Sequence, residues 1–327
     1  MKKGSLIISL DFELFWGIFD HANVEDKKKY FDNTLKVIPE ILSLFEKYQI
    51  KATWATVGFL FFKDLNELLQ NLPDIQPQYI QKKLSAYHFI KDNQKLIEKN
   101  LSYFFAPDMI QKISKTTGQE IATHTFSHYY CLEEGQNEED FKKDIKAFKN
   151  IADKLDIKTE SLVFPRNQYN KNYLDICIQQ GLKVIRTNPD YWFWDMSRSE
   201  TFIKKIIRTL DAYMPIGNMS FDSSHIQFYK NKLVLLPASR FYRPVEKNVL
   251  LNKLRLRRII KEMEKAAINK RFYHLWWHPH NFGLYPQQSL KELEELLNHF
   301  ALLKENYGME SLAMSDFYTL INNNNLV

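Results

Sequence analysis

His124 and His128 are separated by Thr125-Phe126-Ser127, and two imidazoles four residues apart can close on one divalent metal if the backbone between them turns. Along a continuing strand the two would lie ~13 Å apart, whereas one turn of chain brings them within ~6 Å. Glu120-Ile121-Ala122-Thr123 alternates like a strand, and Thr125 and Ser127 are turn and cap formers, so the pair belongs at a strand's end. On spacing alone, two core or surface histidines fit as well as a ligand pair. The same spacing recurs at His274 and His278, but Phe272-Tyr273 and Leu275-Trp276-Trp277 read as a buried strand. That second pair is not expected to be bidentate.

Strand-like and helix-like runs alternate through the chain, the pattern of an α/β domain with a mainly parallel sheet. Strands are expected over residues 5–11, 52–57, 120–124, 161–165, 183–187, 233–237, 272–277 and 309–314. Amphipathic helices fit 33–48, 140–155, 171–180, 249–268 and 289–305. In the first helix Leu35, Ile38, Ile41, Leu42 and Phe45 share a face. Seven or eight such units predict one closed or partly closed barrel over residues 1–327. The stretch 61–117 is too long for an ordinary connection and reads as a helical insertion after the second strand, either a lid over the site or a structural appendage.

In an α/β barrel the catalytic groups collect at the carboxyl ends of the strands. Ionisable residues follow the apolar runs there: Asp11 and Glu13, His124 and His128, Arg166, Asp190, then His278 and His280. Any one of them could be a cap or a salt bridge; the recurrence at successive strand ends points to a site.

The chain has 327 residues, 45% of them hydrophobic, enough for a large core. Its charge of +6 comes from 45 basic and 39 acidic residues spread along the sequence, which excludes no acidic partner and marks no nucleic-acid surface. The run from Arg255 to Lys261 is the one expected to touch an anionic substrate or a membrane surface. Two cysteines, Cys131 and Cys177, give neither a disulfide framework nor a zinc-ribbon spacing. Asp11 and Glu13 cut the first apolar run short of a secretory core, and no run reaches the roughly 20 apolar residues of a membrane span. A soluble, cytoplasmic protein is the expectation.

Leu10-Asp11-Phe12-Glu13, the Ala52 to Gly58 strand, Glu120 to His128, Phe164-Pro165-Arg166 and Leu275-Trp276-Trp277-His278 resemble, in order, the motifs of the polysaccharide deacetylase (NodB-homology, carbohydrate esterase 4) family. The resemblance implies a distorted (β/α)7 barrel that uses one divalent metal, commonly zinc, to remove N-acetyl groups from sugars. It makes His124 and His128 metal ligands, Asp11 the general base, Arg166 the arginine that orients and charges the base, and His278 the general acid. The family's metal carboxylate most often follows the base directly. Phe12 occupies that position here, so Glu13 takes the ligand role. Asp190 or Asp195 is the corresponding partner for His278.

The resemblance thus implies an N-acetylated carbohydrate substrate, such as a sugar nucleotide or a lipid-linked glycan intermediate. Hydrolysis of another small amide or ureide, as in allantoinase-like relatives, is the alternative chemistry. A barrel that binds carbohydrate without turning it over is the non-enzymatic alternative, favoured only by Phe12.

Overall fold

The first strand, β1 (Ser5–Phe12), is buried along its whole length, and its period of two divides it between two environments. Leu6, Ile8, Leu10 and Phe12 join the large apolar cluster under the helices, whereas Ile7 belongs to a smaller cluster inside the sheet with Ala55, Ala122, Val163, Val184 and Leu236. Ser9 and Asp11 share the side of Ile7, so the strand delivers Asp11 to the interior. The helix Val24–Tyr48 packs Phe31, Ile38, Ile41 and Phe45 behind it. That helix starts well before residue 33 because the Asn23 side chain caps it by accepting from Glu25 N.

The protein is described by a computed structural model over residues 3–189, 191–194, 202–214 and 219–322. The other strands are β2 (Ala52–Thr56), β3 (Gln119–Thr123), β4 (Ser161–Val163), β5 (Val184–Thr187), β6 (Gln227–Tyr229), β7 (Leu233–Pro237), β8 (Arg240–Phe241), β9 (Phe272–Trp277) and β10 (Glu310–Leu312). They form one sheet in the order β6-β7-β5-β4-β3-β2-β1-β9-β8, with β10 beside the start of β1. Every pairing is parallel except β6 with β7. All the carboxyl ends around β1 therefore point to one rim, which is the placement that the sequence pattern required.

The described residues show no ladder between β7 and β9, so the sheet is not closed by strand pairing. Chain continuity joins its ends instead. β7 pairs with β5 and β8 with β9, and only Ala238 and Ser239 separate them. Ala238 N donates to Thr187 O (2.9 Å) and Ser239 N to His274 O (2.8 Å), so one segment changes partners as it crosses the gap. With β7 and β8 counted as one stave, and the antiparallel β6 and the side strand β10 left aside, the staves are the seven of a distorted (β/α)7 barrel. His274 bridges this seam, with Nδ1 3.1 Å from Pro237 O and Nε2 2.8 Å from Ser9 Oγ. Both ring nitrogens are occupied there, so His274 does not pair with His278, as the strand reading requires.

Residues 61–117 include the helices Leu65–Gln70, Ala86–Asp92, Gln94–Lys99, Leu101–Phe104 and Pro107–Lys115. They pack against loops at the rim where the carboxyl ends of the strands gather. Trp16 donates from Nε1 to Phe104 O (2.7 Å), and Tyr79 Oη accepts from Tyr130 N (2.8 Å). No helix among the described residues is long and apolar enough to cross a membrane.

Candidate active site

Strand alternation carries Asp11 inward and Phe12 outward, where Phe12 meets the Trp54 ring edge-on at 6.2 Å. A carboxylate at position 12 would point into the helix layer, so the acid that reaches the cavity must come one residue later. Glu13 does so from the 3-10 turn Leu14–Gly17, whose first residue has φ 46°. The turn folds the Glu13 side chain over Gly17, where a Cβ would overlap the carboxylate.

The segment after β3 is a loop in which Thr125 (φ 64°) and His128 (φ 58°) take left-handed conformations, rather than a helical turn. It brings the His124 and His128 ring centroids to 5.2 Å. Asp144, on the helix Glu138–Lys154, holds this loop from below. Its carboxylate accepts from Phe126 N (2.7 Å), Ser127 N (3.1 Å) and Ser127 Oγ (2.5 Å), and Tyr87 of the insertion adds a 3.4 Å bond. Burial pushes the Asp144 pKa up to about 6, against the pull of these donors.

Glu13 Oε2 lies 3.1 Å from His128 Nε2 and 3.3 Å from His124 Nε2. The far nitrogens are held as metal-binding histidines require: His124 Nδ1 is 2.9 Å from Val163 O and His128 Nδ1 is 3.2 Å from Tyr130 Oη. His124 Nε2 is buried without a hydrogen-bond partner, at ion-pair rather than hydrogen-bond geometry with Glu13. One carboxylate oxygen and two imidazole nitrogens thus converge within 4.8 Å of one another, a donor set that suits a divalent cation of the zinc type. Burial would raise the Glu13 pKa, but the neighbouring His278 and the contacts from His124 and His128 hold it well below the usual carboxylate range. Burial lowers that of His128 and so favours the neutral, ligating form.

The expected arginine is replaced. Arg186 on β5, not Arg166, meets Asp11, with Nη1 to Oδ1 and Nη2 to Oδ2 both at 2.7 Å. It also donates to Ser9 Oγ (3.0 Å) and Asn167 Oδ1 (2.9 Å) and lies 4.4 Å over the Trp276 ring. Burial would raise the Asp11 pKa; the Arg186 guanidinium outweighs it and holds the carboxyl below its ordinary value. Arg166 sits in a left-handed conformation (φ 55°), pairs with Asp20 and covers the Tyr130 ring at 4.1 Å. It is a rim residue because its backbone turns it away from β1. Arg186 had a sequence signal: it is a lone charge on the inward phase of a buried strand, which demands an acid partner.

His278 Nε2 stands 3.5 Å from Glu13 Oε1 and 3.8 Å from Asp11 Oδ2, and its side chain is 23% exposed. It is the half-open imidazole of the group. The 3-10 turn Pro279–Phe282 that follows β9 brings His280 to the site as well. Its ring stacks on His278 at 4.8 Å, and its Nε2 is 4.0 Å from Glu13 Oε1. Asp190 and Asp195 lie outside the described residues. Trp16, Trp54 and Trp277 are core, whereas Trp276 borders the site through Arg186. Cys131 is buried with its thiol on Gln168 O, and burial pushes its pKa up, as expected of an inert thiol.

Residues 29–185 match the family model for polysaccharide deacetylase. No curated protein matches the chain in sequence. Among solved structures, a candidate polysaccharide deacetylase from Mycobacterium smegmatis superposes with a TM-score of 0.63 at 12% identity, covering 100% of this chain and 93% of that one. PuuE allantoinase gives 0.52 at 10% identity, with 96% and 88% covered. The 4-alpha-glucanotransferase from Thermococcus litoralis gives 0.56 at 13%, covering 98% of this chain and 40% of that one. Likeness at such identities shows a shared barrel, while the sequence match includes His124, His128 and Arg166 and stops short of Asp11, Glu13 and His278. Residues 29–185 of this chain carry the sequence of the polysaccharide deacetylase family, a family of hydrolases, on that family's fold.

Proposed function

We propose that this protein is a metal-dependent hydrolase that removes the N-acetyl group from an amino sugar in a glycan or a glycan-biosynthesis intermediate. The observation that carries the reading is the convergence of Glu13, His124 and His128, with the far nitrogens of both imidazoles already anchored. When bound, a divalent metal, zinc being the first expectation for this donor set, supplies Lewis acidity toward an amide oxygen and eases ionisation of water.

The remaining work falls to the chain's own groups. Asp11, ionised by Arg186 and buried beside the three donors, takes the proton of the attacking water. His278, the imidazole open to solvent, protonates the departing amine, which is a poor leaving group until it carries that proton. Buried walls around Asp11 and Glu13 strengthen each of these interactions by excluding water.

Acetate release from N-acetylated amino-sugar oligomers, with metal content measured in parallel, tests the reading. Wild type is expected to release acetate, to lose that activity on chelation and to recover it with added divalent metal. Asp11→Asn should keep metal and lose turnover, and Glu13→Gln should lose both. Equal, near-zero metal in wild type and His124→Ala would overturn the site, and the reverse pattern for Asp11 and Glu13 would exchange their roles.

A further inference from the structure

The helix Val249–Ile268 divides its charges unequally. Arg255 and Arg258, at the centre of the basic run, turn inward: Arg255 pairs with Glu292, and Arg258 with Asp211 at 2.9 Å. The outward face keeps Lys253, Arg257, Lys261 and Lys265, spaced four apart and all exposed. Beside this stripe stand three exposed apolar side chains, Val249 (59%), Leu250 (65%) and Leu254 (38%). The helix has two acidic residues. Glu262 is buried against Arg240 and Glu264 is half-buried, so the helix itself presents no fully exposed acid; the exposed acids nearby are Glu246, just before its start, and Glu295 on the helix packed against it.

A second apolar element adjoins it. The short helix Phe202–Asp211 leaves Phe202, Ile203, Ile206 and Leu210 exposed. Arg258 on Asp211 ties it to the first, and the segment that leads into the first helix adds Arg243 Nη2 on Thr209 Oγ1 (3.2 Å) and Glu246 Oε1, which accepts from Tyr213 Oη (2.9 Å). Exposed leucine, isoleucine and phenylalanine clustered in one region are not ordinary scatter.

We infer that this face docks on an anionic lipid bilayer, with the apolar residues entering the headgroup boundary and the lysine and arginine stripe facing the charged headgroups. Apolar side chains beside uniformly basic ones suit that occupant, because the basic residues would repel a like-charged face of a second copy. The placement has a functional consequence. Val249 and Leu250 begin the helix that follows β8, which runs parallel to β9, so they lie toward the barrel end that carries His278. Docking there would turn the mouth of the site toward substrates held at the membrane surface. The inference does not depend on the reaction catalysed.

Sedimentation of the full chain with vesicles of phosphatidylcholine, with and without phosphatidylglycerol, tests it. Binding is expected only with phosphatidylglycerol and should weaken as salt is raised. Arg257→Gln and Lys261→Gln should each weaken it about fivefold. Leu250→Asn, at unchanged charge, should weaken it roughly tenfold. All three positions are exposed, so folding is expected to survive. Absence of binding, equal binding to pure phosphatidylcholine, or a dimer in solution that Leu250→Asn dissociates and that blocks vesicle binding would overturn the proposal.

Discussion

Arg186 grips Asp11 through two parallel hydrogen bonds of 2.7 Å, both partners being buried at the carboxyl ends of strands that are not neighbours in the sheet. The pair spans the barrel interior from β5 to β1. Bidentate geometry fixes the carboxylate plane as well as its charge. Removing the guanidinium leaves a buried carboxylate uncompensated, so Arg186→Met should lower unfolding free energy at pH 7 by about 3–5 kcal/mol. Deacetylation should fall by roughly 10²-fold or more. Arg166→Met should cost less on both measures, since its partner Asp20 lies at the rim. Urea melts and initial rates on the two variants decide the ranking, and a larger loss for Arg166 would reverse the assignment.

Gly17 makes room for Glu13, so Gly17→Ala should displace the carboxylate without unfolding the barrel. Metal affinity is expected to drop about 10–100-fold, the scale seen when a ligand's supporting contacts are disturbed. Isothermal titration with zinc, alongside circular dichroism, reads both quantities. Unchanged affinity would show that Glu13 has another way to reach the histidines.

Asp144 supplies a pH signature. Its pKa is raised by burial to about 6 from an ordinary 3.8. A raised acid contributes stability that is fully present below its unfolded pKa and is lost as pH rises through the folded one. Between about pH 4 and pH 6 this group should therefore remove on the order of 3 kcal/mol of stability. Other carboxylates, Asp11 among them, act in the opposite sense, so the difference between wild type and Asp144→Asn isolates the effect. That difference should shift against the wild type across this window. A flat difference, or one of opposite slope, would place the Asp144 proton elsewhere.

For His278, the expected outcome distinguishes acid catalysis from simple packing. His278→Ala should slow hydrolysis of an acetamide by roughly 10²-fold or more while metal content stays constant. An activated acetyl ester, whose leaving group needs no proton, should suffer much less. Equal losses on both substrates, or an amide-selective loss in His280→Ala alone, would move the role to the stacked neighbour.

What the sequence determined by itself was local. A period of two along β1 sends Asp11 inward and Phe12 to the helices, while Glu13 as the ligand acid came from the family resemblance. Spacing and turn formers similarly allow His124 and His128 to meet on one short loop, although Asp144 of the helix Glu138–Lys154 holds that loop in place. Apolar alternation located the strands and placed the ionisable residues at their ends, since side-chain periodicity follows from backbone geometry alone. Tertiary structure decided the rest. Arg186 reaches Asp11 only because β5 and β1 face each other across a curved sheet, and no local pattern records which strands oppose one another. The left-handed backbone at Arg166 sends that side chain to Asp20, and the turn after β9 brings His280 back against His278. Those outcomes depend on sheet curvature, loop conformation and the pairing of buried charges, which are settled only when distant segments meet.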